Sequence, residues 1–421
     1  MKKQHIKGLN MTTPNYKRTR FACYFSYLAM SSIFVLPPML FVTFHEMYKI
    51  SYTLLGTLVL VNFCTQLGID LIFTFFSKLF NIKLTVRLMP LVTSLGFVCY
   101  AILPNIFPQY ACIGLVLGTI IFSVSAGLAE VLLSPLVAAM PSDNPEKDMS
   151  MLHSLYGWGV VTNVIIASVF FLIFGTENWM YLTLFLAILP VISSFLFFIS
   201  PMPDMDVSSN EKGGIKWGKA IILCVLCIFL GSAAENTMTN WISGFMENAL
   251  QIPKALGDIL GLAVFALLLA VTRGVYAKFT PDITKTLLAG MTGAAVCYIV
   301  IGVSGNVIIS FIACILVGVF SSMLWPGTLI LMEEKVPNPG VAAFALMAAG
   351  GDLGASVAPQ MLGIVVDKVS ESAFAINLSQ ATSMATDEIG LKVGMLLASV
   401  FPILGIGLLI YILKTLKTKA K

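Results

Sequence analysis

The chain has 421 residues, of which 58% are hydrophobic and only 11% are charged. An ordinary soluble domain carries about 25% charged residues, so this composition excludes one and indicates a protein that spans a lipid bilayer. The formal net charge is +4, but the basic residues are scattered through short segments without interleaved aromatic residues, which argues against nucleic-acid binding.

The chain begins with a polar and basic stretch, MKKQHIKGLNMTTPNYKRTR. A cleaved secretory signal would place an apolar run directly after a basic start, so we predict that residues 1–20 form a cytoplasmic tail and that the first apolar segment is retained. All eight cysteines lie inside apolar stretches, where thiols pack as small hydrophobic groups. We therefore predict no disulfides, no metal site and no cofactor.

Apolar segments follow one another along the rest of the chain. A membrane span needs about 20 apolar residues, and Pro, Gly and charge clusters mark the ends of each segment. Twelve spans are predicted in this way, at residues 21–44, 53–77, 86–104, 108–140, 151–175, 178–201, 219–248, 252–278, 284–303, 306–332, 340–367 and 390–414. The sequence thus predicts an all-α membrane protein with twelve transmembrane helices.

A polar stretch, PMPDMDVSSNEKGGIKWG, interrupts the apolar pattern halfway along the chain. It divides the chain into an N-terminal six-helix bundle at residues 21–201, a cytoplasmic linker at 202–218, and a C-terminal six-helix bundle with a cytoplasmic tail at 219–421. We expect one such chain to function as a monomer in the cell membrane.

The distribution of basic residues predicts the orientation of the chain. If both termini are cytoplasmic, only Lys49, Lys254, Lys368 and Lys392 of the 25 Lys and Arg residues face outward, which leaves 25 − 4 = 21 on the cytoplasmic side. Cytoplasmic loops carry an excess of Lys and Arg. We therefore predict that both termini are cytoplasmic.

The two halves also repeat in sequence. In the first half, SPLVAAMP is followed by HSLYGWGV, and in the second half WPGTLILMEE is followed by MAAGGDLGASVAP. Two six-helix halves in parallel repeat, joined by a cytoplasmic loop, are the organisation of major facilitator transporters, whose substrates bind near the midplane between the halves. This organisation predicts a central binding site.

Glu130 is the most informative ionisable residue, because it lies in the apolar run GLAEVLLSP. If the fourth helix ends near Pro141, Glu130 lies about 16 Å from that end, close to the middle of the bilayer. Ionisable residues at this depth are rare and line a cavity or pair with one another. We predict that Glu130 carries a proton and binds the solute; the alternative is a structural Glu that is paired with a basic group or hydrogen-bonded to a neighbouring helix.

Other polar and aromatic residues within the spans are candidates for the same site. In the seventh span, for example, GSAAENTMTNW combines small residues with Glu235 and Asn240, which suits a helix that lines a cavity. A purely structural hydrogen-bond cluster is the alternative there. The predicted substrate-binding residues are Glu130, His153, Tyr156, Asn163, Glu235, Asn240, Trp241, Trp325 and Asp352.

Asp70 and Arg273 lie toward the cytoplasmic ends of the second and eighth spans, where salt bridges between helices are common. We predict a gating or structural role for both. No P-loop, HExxH motif or nucleophile–base arrangement is present in the sequence, so an enzyme is not expected.

The run GLAEVLLSPLV followed by MSMLHSLYGWG resembles the fucose:proton symporter (fucose permease) branch of the major facilitator superfamily. SSMLWPGTLIL and MAAGGDLGASVAPQMLGIVVD resemble its tenth and eleventh spans. The resemblance implies that Glu130 corresponds to the Glu that this branch uses in proton coupling and sugar binding. The first span, FACYFSYLAMSSIFVLPPMLF, departs from the branch because it contains no Asp.

The leading hypothesis is a secondary active transporter for a small hydroxylated solute, such as a monosaccharide or sugar derivative. It would work by proton symport with alternating access, with sodium as the alternative coupling ion. A proton-driven exporter of amphipathic compounds is the second hypothesis, because 21 Met and 29 Phe residues would give an adaptable apolar cavity. A membrane sensor without transport is the third.

Overall fold

The structure is a computed structural model that describes residues 15–76, 79–143, 145–203, 218–279, 281–336, 340–382 and 384–415. Most of the predicted N-terminal tail and of the predicted linker lies outside these ranges. Within them the chain is helical and contains no strand.

The first half of the chain folds into eight helices, several of which join end to end to cross the bilayer together. They are α1 (Lys17–Met39), α2 (Phe41–Tyr48), α3 (Tyr52–Phe76), α4 (Ile82–Ile106), α5 (Ala111–Ala138), α6 (Pro145–Phe174), α7 (Trp179–Leu186) and α8 (Ile188–Phe198).

The second half contains ten α-helices and two π-helical segments, Phe245–Ala249 and Gly257–Ala263. The α-helices are α9 (Lys219–Gly244), α10 (Lys254–Leu256), α11 (Val264–Phe279), α12 (Ile283–Val303), α13 (Val307–Ser321), α14 (Pro326–Lys335), α15 (Gly340–Ser370), α16 (Ala373–Thr382), α17 (Thr386–Ala398) and α18 (Val400–Thr415).

Eleven helical stretches of the described residues are long and apolar enough to cross a membrane. The predicted eleventh span corresponds to α15, whose 31 residues also suffice to cross, although it contains several glycines and Asp352. The predicted fold of twelve transmembrane helices in two six-helix halves is therefore confirmed. We call the end of the bundle at which α1 begins and α18 ends the terminal end, and the opposite end the distal end.

The tenth span is broken, although the sequence predicts one continuous helix over 306–332. It consists of α13 and α14, with a turn between them, and Pro326 is the first residue of α14. Proline lacks a backbone N–H and its ring clashes with the carbonyl four residues earlier, so it fits a first helical turn and interrupts a continuous one. The break places the Trp325 side chain at the centre of the bundle.

The closest packing between the halves is that of α3 against α15. A Cβ placed on Gly56 would lie 2.9 Å from the Cα of Gln360, and one placed on Gly363 would overlap the carbonyl oxygen of Tyr52. Because glycine has no side chain, these residues let the backbones of α3 and α15 pack in direct contact, as small residues do between membrane helices. Both contacts lie in the distal half of the bundle.

Candidate functional site

A cavity of about 850 Å³ lies between the two halves of the bundle. Its walls come from α1, α3, α5 and α6 of the first half and from α9, α11, α15 and the α13–α14 break of the second half. Along α1 it extends from Tyr27 to Pro38, which is about 16 Å at 1.5 Å per residue. Its volume is within the 300–1,000 Å³ typical of small-molecule sites.

The cavity brings together most of the predicted substrate-binding residues. From the first half these are Glu130 and Tyr156; from the second half they are Glu235, Asn240, Trp325 and Asp352. Glu130 is exposed to the cavity, and Asp352 is 7% exposed. The carboxylates lie at the cavity because an ionisable group inside a bilayer requires a cavity or a partner; their contact with a substrate stays a prediction.

Two predicted residues lie outside the cavity. Trp241 is 1% exposed, and its indole N–H donates to the carbonyl oxygen of Pro359 at 3.1 Å. Asn163 is 2% exposed and donates to the Ser31 hydroxyl at 2.8 Å, which joins α6 to α1. Both polar groups are satisfied by the protein itself, so their predicted contact with substrate is corrected here.

Arg273, for which a gating or structural role is predicted, lines the cavity. One of its terminal nitrogens lies 3.1 Å from Oε1 of Glu235, and its Nε donates to the carbonyl oxygen of Ser322 at 2.8 Å. Glu235 is therefore neutralised by a neighbouring helix of its own half. Asp70 lies on α3 beyond the cavity-lining Gln66, and its gating role stays a prediction.

His153 lies on α6, but its side chain is outside the described part of the structure. Its predicted role as a ligand stays a prediction.

Several cavity residues were not among the predicted ligands. Tyr27, Asn62, Gln66 and Asn236 all line the cavity. Three of them are amides within apolar spans, a signal that the sequence does provide. Tyr27 gives no such signal, because a tyrosine in a membrane helix is often found near the interface.

The amide groups are held in fixed orientations. The Asn62 oxygen accepts hydrogen bonds from Gln66 Nε2 at 2.9 Å and from the Ser123 hydroxyl at 2.6 Å. On α9, the Asn240 amide nitrogen donates to the carbonyl oxygen of Asn236 at 2.8 Å, and the Asn236 nitrogen donates to that of Ser232 at 3.1 Å. Both α9 side-chain oxygens are thus left as acceptors for hydroxyl groups in the cavity.

An aromatic surface lies beside these polar groups. Phe34 packs edge-on against Tyr156, with ring centroids 5.7 Å apart, and also contacts Phe63 at 6.1 Å. Trp325 stands on the opposite side, from the second half. A solute in the cavity therefore meets flat apolar rings together with carboxylate and amide groups.

The distal side of the cavity is closed by aromatic side chains that meet across the two halves. Trp241 packs against Phe41, with centroids 5.2 Å apart, and against Tyr52, with centroids 6.0 Å apart. All three are at most 2% exposed. We call the contacts of Phe41, Tyr52 and Trp241 the distal seal. Trp241 is thus part of the seal and not a platform for the solute.

Lys254 adds a charged contact to the distal seal. Its ammonium lies 3.3 Å from Glu247 and 3.6 Å from Asp258 of its own half, and it donates to the carbonyl oxygen of Met39 in the other half. Because both carboxylates belong to the same half as Lys254, its charge stays compensated if the halves separate. Across the halves it makes this hydrogen bond and also lies over the Phe171 ring of α6, 6.0 Å from the centroid.

The start of α3 forms the second polar contact across the halves. The Asp367 carboxylate accepts hydrogen bonds from the backbone N–H of Tyr52 at 2.9 Å and of Thr53 at 2.7 Å. These are the first residues of α3, whose N–H groups have no partner within the helix and attract negative charge. An acidic residue of α15 thus caps a helix of the opposite half.

A histidine beyond the end of the first span makes this region sensitive to pH. His45 Nε2 lies 3.3 Å from the Asp387 carboxylate, and Nδ1 lies 2.9 Å from the carbonyl oxygen of Ile50. The hydrogen bond to Asp387 raises the pKa of His45 above its ordinary value, although burial acts to lower it. The Ile50 carbonyl oxygen and the charge of Asp367 raise this pKa further. Protonated His45 therefore favours the closed distal seal.

We expect the distal seal to loosen as pH rises. The raised pKa belongs to the closed state, so the contribution of His45 is complete below about 6.5 and is lost as pH rises through the raised pKa. Val42 is 2% exposed and faces Gly244 of the other half, so Val42→Cys reports opening. Thiolate formation raises labelling by a membrane-impermeant thiol reagent with pH at any accessible cysteine, so the rate is divided by that of Val42→Cys in a His45→Gln background. This ratio should rise over the window; a constant ratio assigns the pH dependence to another group.

The sequence matches the Major Facilitator Superfamily over residues 21–359, which is most of the chain. The chain belongs to the Major Facilitator Superfamily. It is thus a multi-pass membrane transporter and not an enzyme. A search of curated proteins finds no sequence relative. This match identifies the superfamily and not a branch within it, so the resemblance to the fucose permease branch stays a prediction.

Solved structures of several superfamily transporters share the fold. A bacterial homolog of the human lysosomal transporter Spinster, inward-facing and occupied, has a TM-score of 0.73 at 11% identity, covering 94% of this chain and 96% of that one. A D-xylose-proton symporter has a TM-score of 0.71 at 15% identity, covering 92% and 97%. The nucleoside transporter NupG has a TM-score of 0.71 at 11% identity, covering 94% and 99%.

Proposed function

We propose that this transporter moves a small hydroxylated solute, a monosaccharide or sugar derivative, together with protons. The observation that carries the proposal is the composition of the central cavity, where side-chain amide oxygens, carboxylates and aromatic rings line about 850 Å³. Sugar hydroxyls donate to and accept from such polar groups, while the apolar face of a sugar ring packs on an aromatic ring. A D-xylose-proton symporter is among the proteins of similar fold.

In this mechanism the cavity is closed at one end at a time, first at the distal end and then at the terminal end. In the described structure the distal seal is closed, and the glycine contacts between α3 and α15 hold the distal parts of the halves together. Rocking of one half against the other would open the distal seal and close the terminal end around the same site. With both termini in the cytoplasm, as the basic residues indicate, the distal end faces outward and the present state faces inward.

Glu130 is the proposed proton carrier. It lies on α5 in the wall of the cavity, and no hydrogen bond or ion pair holds its carboxylate within the described ranges. Glu235, by contrast, is paired with Arg273 at 3.1 Å. A carboxyl group without a fixed cation can exchange a proton with the cavity, whereas a paired one is held in its charged form. The unpaired group is therefore the better candidate for coupling.

Ligand binding tests the proposed substrate class directly. Purified protein is heated with D-xylose, L-fucose, D-glucose or a lipophilic cation at increasing concentration. A ligand that binds only the folded state stabilises it by about 2.7 kcal/mol at a hundredfold excess over its Kd. We expect a saturable rise in melting temperature with at least one sugar. A rise with the lipophilic cation and none with any sugar would favour the exporter of amphipathic compounds.

A further inference from the structure

The carboxylate of Asp352 has an unusual position in the cavity wall. The residue is 7% exposed and lines the cavity, yet within the described ranges it has no hydrogen bond and no ion pair. A buried ionised carboxylate without a partner is strongly unfavourable. The site is therefore incomplete until a proton or another cation reaches Asp352 from the cavity.

The charges of the cavity wall are not balanced. Its described charged residues are Glu130, Glu235, Asp352 and Arg273, and Arg273 is already engaged by Glu235. Two carboxyl groups in opposite halves, Glu130 and Asp352, thus face one cavity without a basic partner among its described residues. A single proton carrier accounts for one of them and leaves the other unexplained.

An indole ring lies beside Asp352. The Trp325 ring covers the backbone of Gly351, the residue directly before Asp352, so closely that a Cβ on Gly351 would overlap it. Trp325 and Asp352 both line the cavity. A cavity lined by both an indole ring and a carboxylate can bind an ammonium group, because the ring attracts the cation and the carboxylate neutralises it.

We infer that the solute carries an amino group, and that Asp352 and Trp325 bind its ammonium while the amides of the cavity bind its hydroxyls. The inference rests on the sugar-binding function proposed above and narrows it to amino sugars and similar small hydroxylated amines. In this arrangement Glu130 remains available for the coupling proton. Gly351 is required because any side chain at this position would displace the indole ring.

Matched sugars separate the contribution of the amino group from that of the hydroxyls. D-glucosamine, D-glucose and N-acetyl-D-glucosamine share a ring, but only the first carries a positive charge near neutral pH. Apparent affinities are measured for the purified protein by thermal stabilisation and for proteoliposomes by counterflow. We expect D-glucosamine to bind about tenfold or more tightly than the two neutral sugars, as for a hydrogen bond to a charged group.

The Asp352→Asn variant tests the residue, because asparagine keeps the shape and removes the charge. We expect the affinity ratio of D-glucosamine to D-glucose to fall to about one, and Trp325→Leu to reduce it in part. Equal binding of the three sugars by the natural protein would overturn the inference and leave the sugar transporter intact. Stabilisation by choline with none by any sugar would instead overturn the proposed sugar substrate and retain the cation site.

Discussion

Replacing Glu130 by Gln is expected to abolish proton-driven accumulation while leaving exchange of solute across the membrane. The variant keeps the shape of the side chain but cannot carry a proton, and no ion pair or hydrogen bond of the described residues is lost with the charge. With one proton per solute, a gradient of one pH unit supports about tenfold accumulation. Glu130→Gln should reduce the accumulation ratio to about one.

Proteoliposomes from one preparation measure both activities, without internal solute for accumulation and loaded with solute for counterflow. Accumulation is recorded with the interior one pH unit more alkaline, and counterflow with equal pH on both sides. Glu177→Gln is the matched control, because Glu177 is exposed in the 3₁₀ turn Thr176–Asn178. Accumulation that survives in Glu130→Gln at the level of Glu177→Gln would assign proton coupling to another group.

The membrane fold could be predicted from the sequence because each span is marked independently by its own apolar run. The break at Trp325 and Pro326 was not predicted, because a proline alone does not reveal a break: Pro135 and Pro359 lie inside continuous helices. Trp325 was predicted as a ligand without knowledge of the break. That Trp325 faces the cavity depends on the packing of its ring over Gly351 of another helix.

The predicted carboxylates lie in the cavity wall and some predicted neutral residues do not, for one physical reason. A carboxylate such as Glu130 or Asp352 has few partners in an apolar bundle, so it lies beside a cavity. A neutral amide or indole finds a partner easily, and Asn163 and Trp241 do so with Ser31 and Pro359. The residue type alone does not show whether a neutral polar side chain faces the cavity or bonds to another part of the protein.

Ion pairs between residues that are distant in the chain could not be predicted from the sequence. The bonds of Glu235 to Arg273 and of His45 to Asp387 depend on how helices rotate about their axes and which helices become neighbours. A single sequence shows that each residue is polar within or beside an apolar segment, but it does not show which other residue lies 3 Å away. The sequence therefore did not show that Arg273 lies in the cavity wall beside Glu235.

Replacing Gly363 by Leu is expected to hold the distal end of the transporter open. A side chain on Gly363 would overlap the carbonyl oxygen of Tyr52, at the start of α3 in the opposite half. The obstacle is backbone, which cannot turn aside as a flexible side chain can. Overpacking of this kind costs about 1–3 kcal/mol, and a bias of that size changes a two-state equilibrium by about 5- to 150-fold.

The expected result has two parts that must appear together. Counterflow should fall by about tenfold or more, because each cycle passes through the closed distal state. Labelling of Val42→Cys in the same background should increase, since Val42 is 2% exposed when the distal seal is closed. Gly407→Leu is the matched control, because Gly407 has no atom near its Cβ position. It should transport normally and keep Val42→Cys protected.

The combination of readouts separates a shifted equilibrium from a damaged fold. A misfolded Gly363→Leu protein would lose counterflow, but it would also lose its cooperative thermal transition, whereas a protein held open keeps that transition and still binds the solute. Normal transport by Gly363→Leu with a protected Val42→Cys would show that the halves do not use this contact to close. Gly363 would then be needed only for packing within the closed state and not for the change between the closed and open distal states.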